Sequence, residues 1–145
     1  MITTAPLLDE QICFALYSAS RALTSRYREL LEPLGVTYPQ YLVLLVLWEE
    51  GTSTVSHLGE RLHLDSGTLS PLLRRLERSG HITRGRTAGD ERVVEVALTH
   101  SGEALREASA SIPAGVCQAT GLDPAGLIAL QKQIAQVAAH LRASL

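Results

Sequence analysis

Residues 54–80 read TVSHLGERLHLDSGTLSPLLRRLERSG and contain two short helical patterns with almost no linker between them. In each pattern, apolar residues recur every three or four positions, which is typical of a helix with one buried face. Asp65 and Ser66 are residue types that cap helix N-termini, and Gly80 stands where the second helix should end. The stretch therefore predicts a helix-turn-helix.

The next residues, 81–99, read HITRGRTAGDERVVEVALT and predict a β-hairpin. Ile82 leads into the first strand, and apolar residues alternate with polar ones along the second. The polar segment between them contains Gly and Asp, which favour a turn. A helix-turn-helix followed at once by a basic hairpin is the arrangement of a winged helix.

In a winged helix, the second helix of the pair enters the major groove of DNA, and hairpin arginines reach the neighbouring minor groove. We expect polar residues of the first turns to face base edges and the arginines beyond them to face phosphates. We also expect Asp90 to hold Arg92 in the hairpin. An ordinary surface hairpin and a protein-interaction module remain alternatives. The predicted DNA-contacting residues are Asp65, Ser66, Thr68, Ser70, Arg74, Arg75, Arg78, Arg84, Arg86, Asp90 and Arg92.

The distribution of charge supports this interpretation. The 145-residue chain has a formal net charge of -2, but residues 68–92 contain six arginines against three acids, which leaves +3 there and -5 elsewhere. Arginine has a planar fork that suits phosphates and guanine edges, whereas the chain has a lysine only at position 132. The local excess of arginine favours nucleic acid as a partner.

The flanking sequence predicts further helices. Residues 8–31 have the spacing of one long amphipathic helix, and a strongly apolar helix follows between Pro39 and Gly51. Two more helices are expected after Thr99, the last beginning near Asp123. A small domain with apolar faces on its first and last helices needs something to cover them, and the simplest candidate is a second copy of itself.

The predicted fold is therefore mostly α-helical with a small β-hairpin wing. We expect one domain over residues 1–145, with residues 36–100 forming the winged helix-turn-helix DNA-binding part. Residues 8–35 and 101–145 are expected to supply the dimerisation helices of a homodimer.

Neither a membrane span nor a signal peptide is recognisable, which predicts a cytoplasmic protein. In that compartment, two cysteines 104 positions apart do not predict a permanent disulfide, and they lack zinc-site spacing. The five histidines are scattered. We therefore expect no metal and no cofactor.

Cys13 lies on the apolar side of the first helix, one turn before Tyr17. Taken alone, this placement favours a buried, inert core thiol. However, the second helix of the helix-turn-helix (the recognition helix, within residues 64–80), the wing and the flanking helices resemble the MarR family of dimeric bacterial repressors over essentially the whole chain. The pieces QICFALYSASR (11–21), GVTYPQYLVLLVLWE (35–49) and LGERLHLDSGTLSPLLRRLE (58–77) are similar to its organic-hydroperoxide-sensing branch, the OhrR repressors.

The resemblance implies that Cys13 is the peroxide-reactive thiol and that Tyr17, Tyr27 and Tyr38 form its pocket. Cys13 and Tyr27 are fourteen residues apart, which is about 21 Å along a straight helix. Tyr27 and Tyr38 would therefore have to come from the other subunit, in agreement with the interlocked dimer of the family. Some members use a second, resolving cysteine, and Cys117 is similar in placement, although a partly buried helix thiol is the simpler interpretation.

The sequence thus predicts a non-enzymatic, redox-sensing repressor that binds an inverted-repeat operator as a homodimer. Organic hydroperoxides would release it by oxidising Cys13. One alternative is a MarR-type regulator that responds to a reversibly bound small aromatic ligand, for which Cys13 would be unnecessary. The other is a thiol peroxidase, for which DNA would be irrelevant.

Overall fold

The computed structural model describes residues 6–145, within which there are seven α-helices and one three-stranded sheet. Single 3-10 turns, Leu8–Glu10 and Glu32–Leu34, lie on either side of the first helix. The elements are α1 (Ile12–Leu31), α2 (Tyr38–Glu50), β1 (Ser53–Thr54), α3 (Val55–Leu62), α4 (Ser66–Arg78), β2 (Ile82–Arg86), β3 (Val94–Leu98), α5 (His100–Ala108), α6 (Ile112–Thr120) and α7 (Pro124–Ala143). The mostly helical fold with a β wing is confirmed.

The chain forms two compact units. One, the winged-helix unit, comprises Arg28–Ala110, and the other, the outer-helix unit, comprises the residues up to Tyr27 together with Ser111–Leu145. The winged-helix unit is wider than the predicted 36–100, because it also takes in the end of α1 and the whole of α5.

Helix α2 is the most buried helix, as predicted, with seven buried residues. Thr37 accepts a hydrogen bond from the backbone N–H of Gln40, whose side chain accepts one from the backbone of Thr37, so a capping box fixes the start of the helix. Gly51 ends it as expected. The buried residues of α2 are Gln40, Tyr41, Val43, Leu44, Val46, Leu47 and Trp48.

The helix-turn-helix is formed by α3 and α4. Thr54 caps α3 by accepting a hydrogen bond from the backbone N–H of His57, and Asp65 caps α4. His63 ends α3 in the left-handed region, at φ 55°. A Cβ at Gly59 would lie 2.9 Å from the carbonyl oxygen of Leu64, so glycine allows this tight approach.

The leucine stripe of α4 is buried, as the spacing predicts, at Leu69, Leu72, Leu73 and Leu76. Pro71 lies inside the helix without ending it. Four side chains link α2 to α3 at the surface: Glu50 contacts both His57 (2.8 Å) and Arg61 (3.1 Å), and Arg61 also contacts Glu49 (3.2 Å). The hydrogen bond to His57 is the main reason why the pKa of Glu50 is lowered.

The wing is confirmed, and the sequence analysis missed its short third strand. β2 and β3 pair antiparallel, with Arg84 opposite Val96, and β1 pairs with the other edge of β3 through Ser53 and Val96. Ser53–Thr54 is two residues long, too short to leave an alternating pattern in the sequence.

Helix α5 packs tightly against the winged-helix core at Gly102. A Cβ there would lie 2.1 Å from the carbonyl oxygen of His81, so no other residue fits without backbone movement. The indole N–H of Trp48 donates to the carbonyl oxygen of Gly102 at 3.0 Å, and both residues are buried. These contacts fix α5 to α2 and to the start of the wing.

The outer helices differ in two respects from prediction. The helix predicted over residues 8–31 begins at Ile12, because Gln11 is extended after the 3-10 turn. After Thr99 there are three helices rather than two, since residues 109–111 interrupt the helical segment. The start of α7 is as predicted, with Asp123 as its cap.

Within residues 6–145, no single helix is long and apolar enough to cross a membrane. One bent pair, Ile12–Leu34 with Tyr38–Glu50, would be long and apolar enough only when the two segments are taken together.

Candidate DNA interface and thiol site

The exposed face of α4 presents the residues predicted to read bases. Asp65, Ser66 and Thr68 are exposed at its start, and Ser70 is half-buried one turn on. The carboxylate of Asp65 accepts a hydrogen bond from the backbone N–H of Thr68 at 2.7 Å, and this bond is the main cause of its lowered pKa. Asp65 therefore has a capping function, and Ser66 and Thr68 present hydroxyl groups beside it.

The arginines of α4 and the wing differ in how accessible they are to solvent. Arg74, Arg75 and Arg78 are exposed on α4. Arg84 is less accessible, because its guanidinium contacts Glu77 of α4 at 3.0 Å and its side chain is 25% exposed. Its backbone N–H also donates to Glu77.

These contacts have consequences for both partners. The side-chain hydrogen bond from Arg84 is the main reason why the pKa of Glu77 is lowered. Arg84 thus links the recognition helix to β2, a structural contribution that the sequence analysis did not assign to it. Its Nε is buried and has no hydrogen-bond partner among the described residues.

The tip of the wing is organised by Asp90. Its backbone N–H donates to the hydroxyl of Thr87, which donates in turn to the carbonyl oxygen of Asp90. Its carboxylate accepts from the backbone and from Nε of Arg92, at 2.9 and 3.3 Å. The expected pairing of Asp90 with Arg92 is confirmed, and Arg92 remains 91% exposed. Arg86 donates to the backbone carbonyl of Glu91 across the same turn.

A concavity of about 420 Å³ lies between α3, α4 and the wing. Arg84 and Arg92 line it together with the hydroxyl-bearing residues Thr54, Ser56 and Ser70. Hydroxyl and guanidinium groups are the side-chain donors that most often contact DNA phosphates. The concavity therefore has the chemistry of a surface that can hold a sugar-phosphate backbone.

Cys13 lies in the first turn of α1 and is exposed, so within one chain it is not a core thiol. Tyr17, one turn further along, is 62% exposed. The guanidinium of Arg21 lies over the ring of Tyr17, with 5.5 Å between its central carbon and the ring centroid. The sequence analysis missed Arg21, although the spacing of four residues from Tyr17 could have indicated it.

The other pocket candidates lie elsewhere in the chain. Tyr27 and Tyr38 are both half-buried, and burial raises the pKa of Tyr38, so its hydroxyl stays protonated and able to donate. α1 is continuous from Ile12 to Leu31, which keeps Cys13 and Tyr27 about 21 Å apart within one chain. Cys117 in α6 is half-buried and donates weakly to the carbonyl oxygen of Leu122 at 3.5 Å. Both cysteines are free.

The outer-helix unit carries an apolar groove of about 790 Å³ between α1 and α7. Its lining residues remain accessible, Ile12 being 71% and Leu141 58% exposed. The lining residues of the groove are Ile12, Leu16, Leu130, Gln133, Ile134, Gln136, Val137, His140 and Leu141.

Within residues 6–145, no group of three or more His, Cys, Asp or Glu side chains could hold a metal ion.

Comparison with known proteins agrees with this geometry. The model of the SarA/Rot family of transcriptional regulators matches residues 25–108. The organic hydroperoxide resistance transcriptional regulator of Bacillus subtilis is 53% identical over 106 residues, which cover 73% of this chain and 72% of that one. The chain belongs to the organic hydroperoxide resistance regulators of the MarR family. The regulator TtmR of Methylorubrum extorquens is 52% identical over 79% of this chain, but the match covers only 59% of TtmR.

Solved structures of the regulator AbfR of Staphylococcus epidermidis share the fold of this OhrR-type chain. Reduced AbfR bound to DNA is 36% identical, with a TM-score of 0.77 over 92% of this chain and 94% of that one. An overoxidised form, also bound to DNA, has a TM-score of 0.76 over the same shares. A disulfide-formed AbfR is 37% identical, with a TM-score of 0.63 over 90% and 91%. The chain is thus a DNA-binding transcriptional regulator of the OhrR type.

Proposed function

We propose that this regulator is a homodimeric, redox-responsive repressor that binds an inverted-repeat operator in the cytoplasm and leaves it when an organic hydroperoxide oxidises Cys13. The observation that carries the proposal is the exposed thiol of Cys13 at the start of a helix whose apolar side lines an open groove. Ile12, next to Cys13, lines this groove together with Leu16, and apolar side chains near the thiol would suit a hydroperoxide with an organic group.

A second copy of the chain is the proposed partner of the outer helices. Five residues of α7 that line the groove carry apolar or imidazole groups, yet α7 has no buried residue within the single chain. A dimer would cover this surface and would set the two copies of α4 about 34 Å apart, the spacing of successive major grooves. Two-fold symmetry of the protein then corresponds to an inverted repeat in the DNA.

The proposed DNA contacts follow from the exposed face of α4 and from the wing. Ser66, Thr68 and Ser70 would face base edges, with Asp65 holding the start of the helix. The arginines of α4 would contact phosphates, and Arg92, directed by Asp90, would enter the minor groove. Arg86 is placed on the same wing, whereas the contact of Arg84 with Glu77 makes Arg84 the least available of the predicted contacts.

The sensing reaction begins at the thiolate of Cys13, which attacks one oxygen of the hydroperoxide. The O–O bond breaks, the sulfur is oxidised to a sulfenic acid, and the organic group leaves as an alkoxide that takes up a proton to become an alcohol. Tyr17 of the same helix, with Tyr27 and Tyr38 of the other subunit, would donate hydrogen bonds that favour the thiolate.

In the second step, the thiol of Cys117 from the other subunit would condense with the sulfenic acid. A disulfide forms and one water molecule leaves, so that the hydroperoxide is the only oxidant required. Solved structures of the relative AbfR include both reduced and disulfide-formed proteins, which supports a disulfide step. The overoxidised AbfR is bound to DNA, which favours the disulfide rather than further oxidation as the releasing event. The protein would act once per oxidation, as a sensor rather than an enzyme.

The decisive experiment is a mobility shift on an inverted-repeat operator, with and without cumene hydroperoxide. We expect the wild type to be released, with an affinity loss of at least about a thousandfold. Cys13→Ser should bind as well as the wild type and ignore the peroxide. In Cys117→Ser, Cys13 should still be oxidised, but no cross-linked dimer should appear on a non-reducing gel.

Two outcomes would contradict the proposal. Release of Cys13→Ser by peroxide would mean that another group senses the oxidant. Retention of both proteins on DNA would favour a regulator with a reversibly bound ligand.

A further inference from the structure

The chain presents a chemical problem at Cys13, because the attacking species is the thiolate and free cysteine is mostly protonated at neutral pH. The ionisable groups nearest in sequence are Asp9 and Glu10 on the preceding 3-10 turn, and negative charges oppose ionisation of a thiol. His140 on α7 lines the same groove as Ile12 and Leu16. A source of positive charge on the face that carries the thiol would oppose the effect of the two acids.

Arg21 provides such a charge. Cys13, Tyr17 and Arg21 are spaced four residues apart on α1, so they follow one another along one face of the helix. Helical side chains lean towards the N-terminus, so each of these residues reaches over the one before it. The guanidinium of Arg21 lies 5.5 Å from the ring centroid of Tyr17, as this lean requires.

We propose that Arg21 is a positioning residue for the sensing thiol and acts on Cys13 through the phenol of Tyr17. This inference rests on the proposed reaction at Cys13. The cation over the ring restricts Tyr17 to the orientation that leans towards Cys13, and it draws electron density from the phenol, which makes the O–H a stronger donor to the thiolate. Arg21 itself touches neither the sulfur nor the hydroperoxide.

A direct electrostatic effect of Arg21 on the sulfur is the competing route. The Cα atoms of the two residues lie about 12 Å apart along the helix, and the screening length at physiological ionic strength is about 8 Å. Both side chains are exposed to solvent, so screening applies. The proposed route requires the hydroxyl of Tyr17, whereas a direct effect of the charge does not.

The test is the pH dependence of alkylation of reduced Cys13 by iodoacetamide in the full-length protein, followed by mass spectrometry so that Cys117 is counted separately. We expect Arg21→Gln to move the midpoint of the profile up by about 0.5 pH units and to slow oxidation by cumene hydroperoxide about threefold at pH 7. Arg21→Lys keeps the cation and should recover at least half of both changes.

The double substitution separates the proposed route from a structural or direct electrostatic one. Tyr17→Phe keeps a ring under the guanidinium but removes the hydroxyl. In that background, Arg21→Gln should leave both the midpoint and the rate unchanged. An equal shift in both backgrounds, or no shift with Arg21→Gln alone, would overturn the inference.

Lys132→Gln is the matched control, because it removes one positive charge from an exposed position of α7 that does not line the groove. It should alter neither the profile nor the rate. A wild-type protein that peroxide cannot release from its operator would refute the proposed function, whereas an unchanged profile in Arg21→Gln would refute only the assignment of Arg21.

Discussion

α4 and α7 begin from the same kind of sequence pattern and end in opposite environments. Each has apolar residues every three or four positions and an aspartate cap, Asp65 or Asp123. In α4, four leucines are buried within the winged-helix unit, whereas α7 has no buried residue. An apolar stripe therefore specifies that a helix needs a partner surface, without specifying whether the same chain supplies it.

This difference separates a unit that is complete in one chain from one that is not. In the winged-helix unit, α2, α4 and the sheet cover one another, so the exposed face of α4 rests on a closed core. In the outer-helix unit, the groove between α1 and α7 stays open. If a second copy covers it, assembly controls both DNA affinity and the surroundings of Cys13.

The largest predicted effect comes from charging the open groove. Ile134→Glu places a carboxylate among apolar residues that a second copy would bury, so we expect monomers in light scattering. Operator affinity should fall by about 10²- to 10⁴-fold, because two half-sites are no longer bound together. Gln131→Glu introduces the same charge at an exposed position of α7 outside the groove and should change neither result. A dimeric Ile134→Glu protein would mean that another surface holds the subunits together.

The next effect concerns the closed unit. Gly102→Ala forces a methyl group to within 2.1 Å of the carbonyl oxygen of His81. We expect it to destabilise the winged-helix unit by about 3 kcal/mol, because the backbone of α5 must move and weaken the hydrogen bond from Trp48. Urea unfolding followed by fluorescence of Trp48, the single tryptophan, measures this directly.

Glu103→Ala, at the neighbouring exposed position, is the control and should stay within about 0.5 kcal/mol of the wild type. An equally small change for Gly102→Ala would show that α5 is not held where the contacts place it.

Most of the winged-helix unit could be predicted from sequence because its signals are local. Asp65 and Gly80 delimit the recognition helix, and alternation delimits β3, so each element is specified by residues within a few positions. Even Asp90 and Arg92 are only two residues apart. The pairing of Arg84 with Glu77 crosses from α4 to β2 and could not be read from either segment alone.

The outer helices were less predictable, because what decides their burial is not encoded in residues close together in the sequence. The break at residues 109–111 contains neither Gly nor Pro, although Pro113 stands in the first turn of α6 and is a local signal for a helix start that the sequence analysis did not use. Cys13 lies on the apolar side of a helix and is nevertheless exposed, because burial depends on a surface outside the local sequence. Its chemistry was predicted from the resemblance rather than from spacing, and it stays a prediction.

The smallest predicted effect is a pH-dependent one in the winged-helix unit. The pKa of Glu77 is lowered chiefly by its hydrogen bond with Arg84, so the folded state favours the carboxylate. The stabilising contribution is present above the ordinary carboxyl pKa of about 4.3 and is lost as the pH falls through the lower folded value. Glu77→Gln should therefore lower the urea midpoint at pH 7, and this deficit should be smaller at pH 3, because the wild-type carboxyl takes up protons as the pH falls through its folded pKa.

Because Glu77 and Arg84 are partly exposed to solvent, we expect Glu77→Gln to lower the urea midpoint less than Gly102→Ala does. Glu95→Gln removes a carboxylate from an exposed position of β3, and we expect no comparable pH dependence from it. A deficit of Glu77→Gln that is equal at both pH values would mean that the side chain acts through packing. A deficit that is smaller at pH 3 would show that charge at one side chain joins the recognition helix to the wing, a connection that the closed unit makes within one chain.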